Sequence, residues 1–267
     1  MGRLTFPAMI RDRTRFLGAY LFGVVATTFT FTAGLLSRRH RGLIVEIGRH
    51  YGYGRVVPTL PSAPVDEIAP DGDSIDLISP HGIDGNVTSL ELIVLTRLAK
   101  RIAPRAIFEF GTFDGRTTVN VAANTPPGTG IATLDLPPDQ RGPVALTLDN
   151  PDRKFIRGRP AGERFLGSPF ASRIEQIYGD SATIDLARFR GQIDLVFVDA
   201  SHSYEYVLSD SRRALELLRS GHGTIVWHDY DSVWPGVTRA LNELREREPA
   251  FAGLRHIAGT TLAIVTI

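Results

Sequence analysis

The alternation of apolar and polar positions divides the chain into three stretches. The first runs over residues 16–36, from Phe16 to Leu36, "FLGAYLFGVVATTFTFTAGLL", and carries no charge. It has roughly the twenty residues that a bilayer-spanning helix needs. Arg11, Arg13 and Arg15 precede it, and Arg38, Arg39 and Arg41 follow. No small-x-small cleavage site closes the run, which argues against a cleaved signal peptide. The pattern predicts a single N-terminal membrane anchor that holds the rest of the chain at the cytoplasmic side of the membrane. The alternatives are a buried or dimer-interface helix, or one lying on the membrane surface. Basic residues on both flanks give no orientation.

The second stretch, residues 50–84, is rich in Pro, Gly and Asp, with "VVPTLPSAP" and "APDGDS" as breakers, and reads as a linker. In the third, strand and helix patterns alternate. Thr88 or Ser89 opens a helix to residue 102, with Leu90, Ile93, Val94, Leu98 and Ile102 at helical spacing and Pro104 as the stop. Strand 106–110, helix 117–123 and strand 130–134 follow. Residues 137–172 are polar and too long for an ordinary connection, so they read as a lid or a substrate loop, or as a solvated surface loop. Then come strand 174–178, strand 193–198, helix 205–219, strand 224–227 and a helix opened by Pro235. Two strand-like runs, 254–258 and 261–267, close the chain. Continuous apolar strands separated by helices predict an α/β fold, a doubly wound and mainly parallel sheet covered on both faces. The closing pair predicts one antiparallel strand. Residues 1–60 thus form a hydrophobic helix and linker, and residues 61–267 the main domain.

Composition narrows the function. The net charge of +1 gives no electrostatic case for nucleic acid. The chain has no cysteine, which excludes disulfides, thiolate metal sites and a cysteine nucleophile.

In a doubly wound sheet, ligands bind beyond the carboxyl ends of the strands. The first strand leads into "FEFGTFDGRTT", residues 108–118, whose glycines permit a tight turn and close approach of a ligand. The turn lacks both the dinucleotide fingerprint and the Gly-Lys-Ser/Thr of a P-loop, so a nicotinamide-dependent oxidoreductase is disfavoured. Asp135 follows the second strand, where an acidic residue can accept both hydroxyls of a ribose. Asp180 follows the third, Asp199 and His202 the fourth, and His228, Asp229 and Asp231 the fifth. One such Asp is easily a helix cap. Their repetition along one edge points to a binding site.

With these residues in place, the sequence from Thr88 to Ile267 resembles class I S-adenosylmethionine-dependent methyltransferases. More narrowly it is similar to the small-molecule O-methyltransferase-like branch that includes catechol-type and sugar enzymes. "FVDASHSYEYVLSD" followed by "GTIVWHDY" carries the resemblance together with the Glu-x-Gly-x-x-x-Gly turn. The resemblance implies a Rossmann-like sheet of seven strands with the last antiparallel, and S-adenosylmethionine as cofactor. It implies that Glu109, Gly111 and Gly115 line the methionine and ribose end, with Thr112 and Phe113 giving backbone contacts. Asp135 would hold the ribose, Asp180 and Ser181 the adenine, and Asp199 the junction of cofactor and acceptor. His202 stands three residues after Asp199, where catechol-type enzymes place a catalytic lysine; it would act as a base, or else cap the helix that follows. Those enzymes hold a divalent cation such as Mg²⁺ on residues matching Asp199 and Asp229, and His228 would join this set or act on the acceptor itself. Tyr230 stands where they have Asn.

The expected activity is methyl transfer to a hydroxyl of a small or lipid-linked acceptor, by a chain associated with the membrane through Phe16–Leu36 and able to form oligomers. The alternative is a non-catalytic subunit of a membrane-associated complex.

Overall fold

The computed structural model describes residues 6–72, 74–140, 142–149, 151–156 and 160–267, without the side chains of residues 6–13, 38 and 39. Residues 141, 150 and 157–159 of the polar segment lie outside that set, as do the side chains of the flanking Arg11, Arg13, Arg38 and Arg39. Two compact units make up the chain, Met1–Tyr53 and Gly54–Ile267.

In the first unit, α1 (Phe6–Phe31) is followed by a short 3₁₀ turn (Ala33–Leu36) and α2 (Arg38–His50). The expected anchor is corrected here. Among the described residues, no helix is long and apolar enough to cross a membrane. The uncharged run is split, because α1 ends at Phe31 and residues 33–36 leave the α-helical path. What remains inside α1 is diluted by Gly and Thr and begins among arginines. The non-catalytic membrane-subunit reading loses its basis with the anchor.

The second unit is built on an eight-stranded sheet. Its strands are β1 (Ser62–Ala63), β2 (Ala106–Phe110), β3 (Gly130–Asp135), β4 (Ile174–Tyr178), β5 (Leu195–Val198), β6 (Thr224–Trp227), β7 (Arg255–Ile257) and β8 (Ala263–Thr266). Their order is β1-β7-β8-β6-β5-β2-β3-β4. Only β8 runs against its neighbours, pairing antiparallel with β6 and β7. The count is one above the expected seven, since Ser62–Ala63 of the linker adds a short parallel strand to β7. Tyr230 fixes this added edge: its hydroxyl accepts from the N–H groups of Thr59 and Leu60.

The helices are α3 (Val65–Ile68), α4 (Ser89–Ile102), α5 (Arg116–Ala123), α6 (Tyr204–Leu217) and α7 (Pro235–Arg247). Thr88 and Glu91 close a reciprocal capping box on α4. Side chains alternate across a strand, so β2 sends Phe108 and Phe110 into one core layer and Ile107 into the other. The first layer holds Val207, Leu217 and Leu241 of α6 and α7; the second holds Leu92, Leu95 and Val121 of α4 and α5. From β2 the chain moves outward through β3 to β4, then returns to place β5 on the other side of β2. This reversal between β2 and β5 is the topological switch point, where an open sheet leaves a crevice. In register, Phe110 sits beside Leu134 and Val198, and Val198 beside Trp227. Gly111, Asp135, Asp199 and His228 therefore emerge at one edge.

Candidate active site

The turn after β2 is shaped by its neighbours. Gly111 has φ +92°, and a Cβ there would fall 1.9 Å from the carbonyl oxygen of Asp199. Only glycine lets β5 end this close to the turn. Gly115 also has positive φ, and Phe113 adopts φ +49° between them. Asp135 holds the turn from the side. Its Oδ2 accepts from the N–H of Phe113 at 2.7 Å and of Thr112 at 3.2 Å, and its Oδ1 from Leu136 at 2.7 Å. Burial pushes the Asp135 carboxyl up, against the pull of these N–H donors. Asp135, Phe113, Leu136, Pro137, Asp84 and Phe155 line a cavity of about 220 Å³.

Glu109 does not line that cavity. It shares the side of β2 that bears Ile107 and is 4% exposed. Its Oε2 accepts from Thr118 Oγ1 at 2.5 Å and Thr133 Oγ1 at 2.6 Å, and Thr133 Oγ1 lies 2.7 Å from Thr112 Oγ1. Burial pushes the Glu109 carboxyl up to about 8, and nearby Asp199 and Asp135 add to the shift. The residue expected at the methionine end thus supports the turn from beneath.

Asp180 accepts from the Tyr206 hydroxyl at 2.9 Å, from the Ala182 N–H at 3.0 Å and from the Ala145 N–H at 2.7 Å. Ala145 belongs to the polar segment, so that segment covers the carboxylate expected to meet adenine. Next to it, burial pushes the α6 carboxyl of Asp210 up to about 7, and the Ser181 hydroxyl and Arg213 pull the other way.

The residues after β5 and β6 converge. His228 Nδ1 lies 3.1 Å from Asp199 Oδ1 and 3.0 Å from Asp229 Oδ2, and its Nε2 lies 3.3 Å from Glu91 Oε2. His202 Nε2 lies 2.9 Å from the same Asp229 oxygen, and its Nδ1 lies 2.6 Å from Asp152 Oδ1. The His202 ring stacks on Trp234 at 4.0 Å. Burial opposes charge on His202, but Asp152 and Asp229 outweigh it and raise the ring to about 10. Both of its nitrogens then donate, which leaves no lone pair to accept a proton. Nor does it cap α6, whose N-cap is Ser203. His228 is likewise raised well above its ordinary value, with Asp229 and Asp199 outweighing burial. Asp229 is held well below the carboxylate range by His228 and His202, against its burial.

Two site residues had no place in the sequence reading. Asp152, in a 3₁₀ turn of the polar segment, also accepts from the His202 N–H and the Ser201 hydroxyl. Nothing in the local pattern marks it. Glu91 was visible as a capping-box residue, three positions after Thr88. Tyr230, in contrast, is fully buried and turned to Thr59, Leu60 and Asn242.

Asp199, His228 and Asp229 each offer one donor atom, all within 4.8 Å of one another. The spacings of His228 Nδ1 from the two carboxylates, 3.0 and 3.1 Å, match the roughly 3 Å edge of an octahedron with metal–ligand bonds near 2.1 Å. Two carboxylates and an imidazole suit a divalent cation and lean toward a transition metal. The donor set fits such an ion. Among the described residues, the lining of the Asp135 cavity, four carboxylates (Asp84, Asp114, Asp135 and Glu163) against the single Lys154, fits a cationic nucleoside better than a pyrophosphate.

Residues 108–230 match the family model described as a methyltransferase domain. No curated protein matches the chain in sequence. Among solved structures, an SAH-bound methyltransferase of Podospora anserina is 18% identical, with 68% of this chain and 79% of that one covered and a TM-score of 0.49. The O-methyltransferase TomG of Streptomyces achromogenes, in complex with SAM, is 21% identical over 68% of this chain and 82% of that one, with a TM-score of 0.46. An O-methyltransferase of Bacillus cereus in complex with SAH is 17% identical over 69% and 84%, with a TM-score of 0.46.

Proposed function

We propose that this chain, an S-adenosylmethionine-dependent methyltransferase by the domain it carries over residues 108–230, methylates a hydroxyl of a small-molecule acceptor. The observation that carries the proposal is the convergence of Asp199, His228 and Asp229 beside the Gly111 turn. Four carboxylates and two imidazoles meet there, a setting that can hold a hydroxyl and take its proton.

S-adenosylmethionine, when bound, supplies a methyl group on a sulfonium. Asp135 would take the ribose hydroxyls, and the N–H groups it holds keep its oxygens fixed in direction. The crevice at the switch point would have to hold the acceptor oxygen in line with the methyl group, which is the main requirement of an in-line displacement. Transfer would form the C–O bond and break the C–S bond, whose electron pair would stay on sulfur. The hydroxyl proton passes to Asp199 through its second oxygen, Oδ2, which is not the one paired with His228. Asp229, fixed between His202 and His228, stays ionised and keeps the site anionic. A divalent cation held by Asp199, His228 and Asp229 would draw charge from the acceptor oxygen and lower its pKa.

The test is to incubate the full chain with S-adenosylmethionine and a mixture of hydroxyl-bearing metabolites. A product heavier by one methylene, lost in Asp199→Asn, is expected. Methylation only of nitrogen acceptors, or a product yield untouched by Asp199→Asn, would overturn the O-methyl reading.

A further inference from the structure

Glu91 reaches the site from α4, away from the strand ends. It is 1% exposed, yet both carboxylate oxygens are engaged. Oε1 accepts from the Thr261 N–H at 2.7 Å and the Thr261 hydroxyl at 2.8 Å, and Oε2 accepts from the Thr88 N–H at 2.7 Å. A capping box requires only the Thr88 contact. The remaining capacity of Oε2 is turned to Nε2 of His228, 3.3 Å away. The opposite ring nitrogen faces the point where the Asp199 and Asp229 oxygens converge.

We propose that Glu91 is a positioning residue for this site: when a divalent cation displaces the Nδ1 proton of His228, Glu91 keeps the remaining proton on Nε2 and so directs Nδ1 at the cation position between Asp199 and Asp229. A metal-binding imidazole commonly donates its other N–H to a carboxylate, which fixes both tautomer and ring direction. Here that carboxylate is itself held by three further donors, on Thr88 and Thr261, so the ring inherits a rigid support. The inference rests on Asp199, His228 and Asp229 being cation ligands.

The test titrates the full chain with Co²⁺, a cation suited to a mixed imidazole and carboxylate set, followed by calorimetry and by its visible absorption band. The wild type binds one Co²⁺, and Asp199→Asn loses it. Glu91→Gln is expected to bind Co²⁺ roughly 10–100-fold more weakly with a shifted band. Thr88→Val removes the cap hydroxyl but leaves the Glu91–His228 contact, so it lowers the melting temperature and leaves Co²⁺ binding unchanged. Should Glu91→Gln fail to fold, Glu91→Asp, which keeps the charge but withdraws it from the ring, gives the same comparison. Wild-type affinity in the Glu91 variant overturns the positioning role and leaves the cation site standing. Equal loss in Thr88→Val also overturns it, because Glu91 would then act only through the helix. No Co²⁺ binding by the wild type would refute the cation reading itself, and the inference with it.

Discussion

Replacing Glu109 with Gln tests how the turn is supported. The carboxyl is buried against Thr118 and Thr133 and raised from 4.5 to about 8. Below pH 4.5 the folded and unfolded chains both carry its proton, and there is no penalty. Between 4.5 and about 8 the unfolded chain ionises while the folded chain keeps the proton. Stability then falls as pH rises, by about 1.4 kcal/mol per unit. Above about 8 both states are ionised and the slope ends. From pH 5 to 8 the loss reaches roughly 4 kcal/mol, less whatever local relaxation around the charge recovers. Gln has the shape of the neutral acid and no proton to lose, and the two threonine hydroxyls can rotate to suit it. The measurement is urea unfolding of both proteins at pH 5, 6, 7 and 8. The advantage of Glu109→Gln over the wild type should grow by about 2–4 kcal/mol across that range. Parallel stability curves would refute the reasoning, since Glu109 would then be ionised in the folded chain.

Other substitutions follow from the same geometry. Gly111→Ala drives a Cβ to 1.9 Å from the Asp199 carbonyl at a positive φ; the variant should be insoluble or melt far below the wild type, whereas Gly128→Ala, which meets nothing within 4 Å, should be soluble. Arg116 is 1% exposed and donates to the carbonyls of Ser79, Pro80 and Val87. Arg116→Leu should cost roughly 3–5 kcal/mol, from three charge-assisted hydrogen bonds of about 1.5 kcal/mol each. It should also speed proteolytic cutting within residues 76–87; an unchanged cutting rate would show that this arm is held by other contacts.

Much of the site was legible in the sequence because strand ends are legible. Strands 106–110, 174–178 and 224–227 stand where the apolar runs placed them, and the parallel register then carries Asp135, Asp199 and His228 to one edge. The direction of Glu109 was also available from two-residue alternation, which puts it with Ile107. The partner of His202 was not available. Asp152 lies 50 residues upstream in a segment with no periodicity, and only tertiary folding brings it to the ring. That contact raises the ring well above its ordinary value, where a base or a helix cap was expected. The two-residue strand at Ser62–Ala63 sits between prolines and carries no pattern of its own. At the N-terminus, the uncharged run suggested a span, but α1 ends at Phe31 and, among the described residues, no helix is long and apolar enough to cross a membrane.

The proposed function requires that the edge formed by Gly111, Phe113 and Asp135 bind S-adenosylmethionine. Calorimetric titration of the full chain tests it most directly. One equivalent should bind, and Asp135→Asn should weaken binding by roughly 10²-fold, the loss of two charged hydrogen bonds of about 1.5 kcal/mol each. No binding by the wild type, or an affinity indifferent to Asp135→Asn, would contradict it.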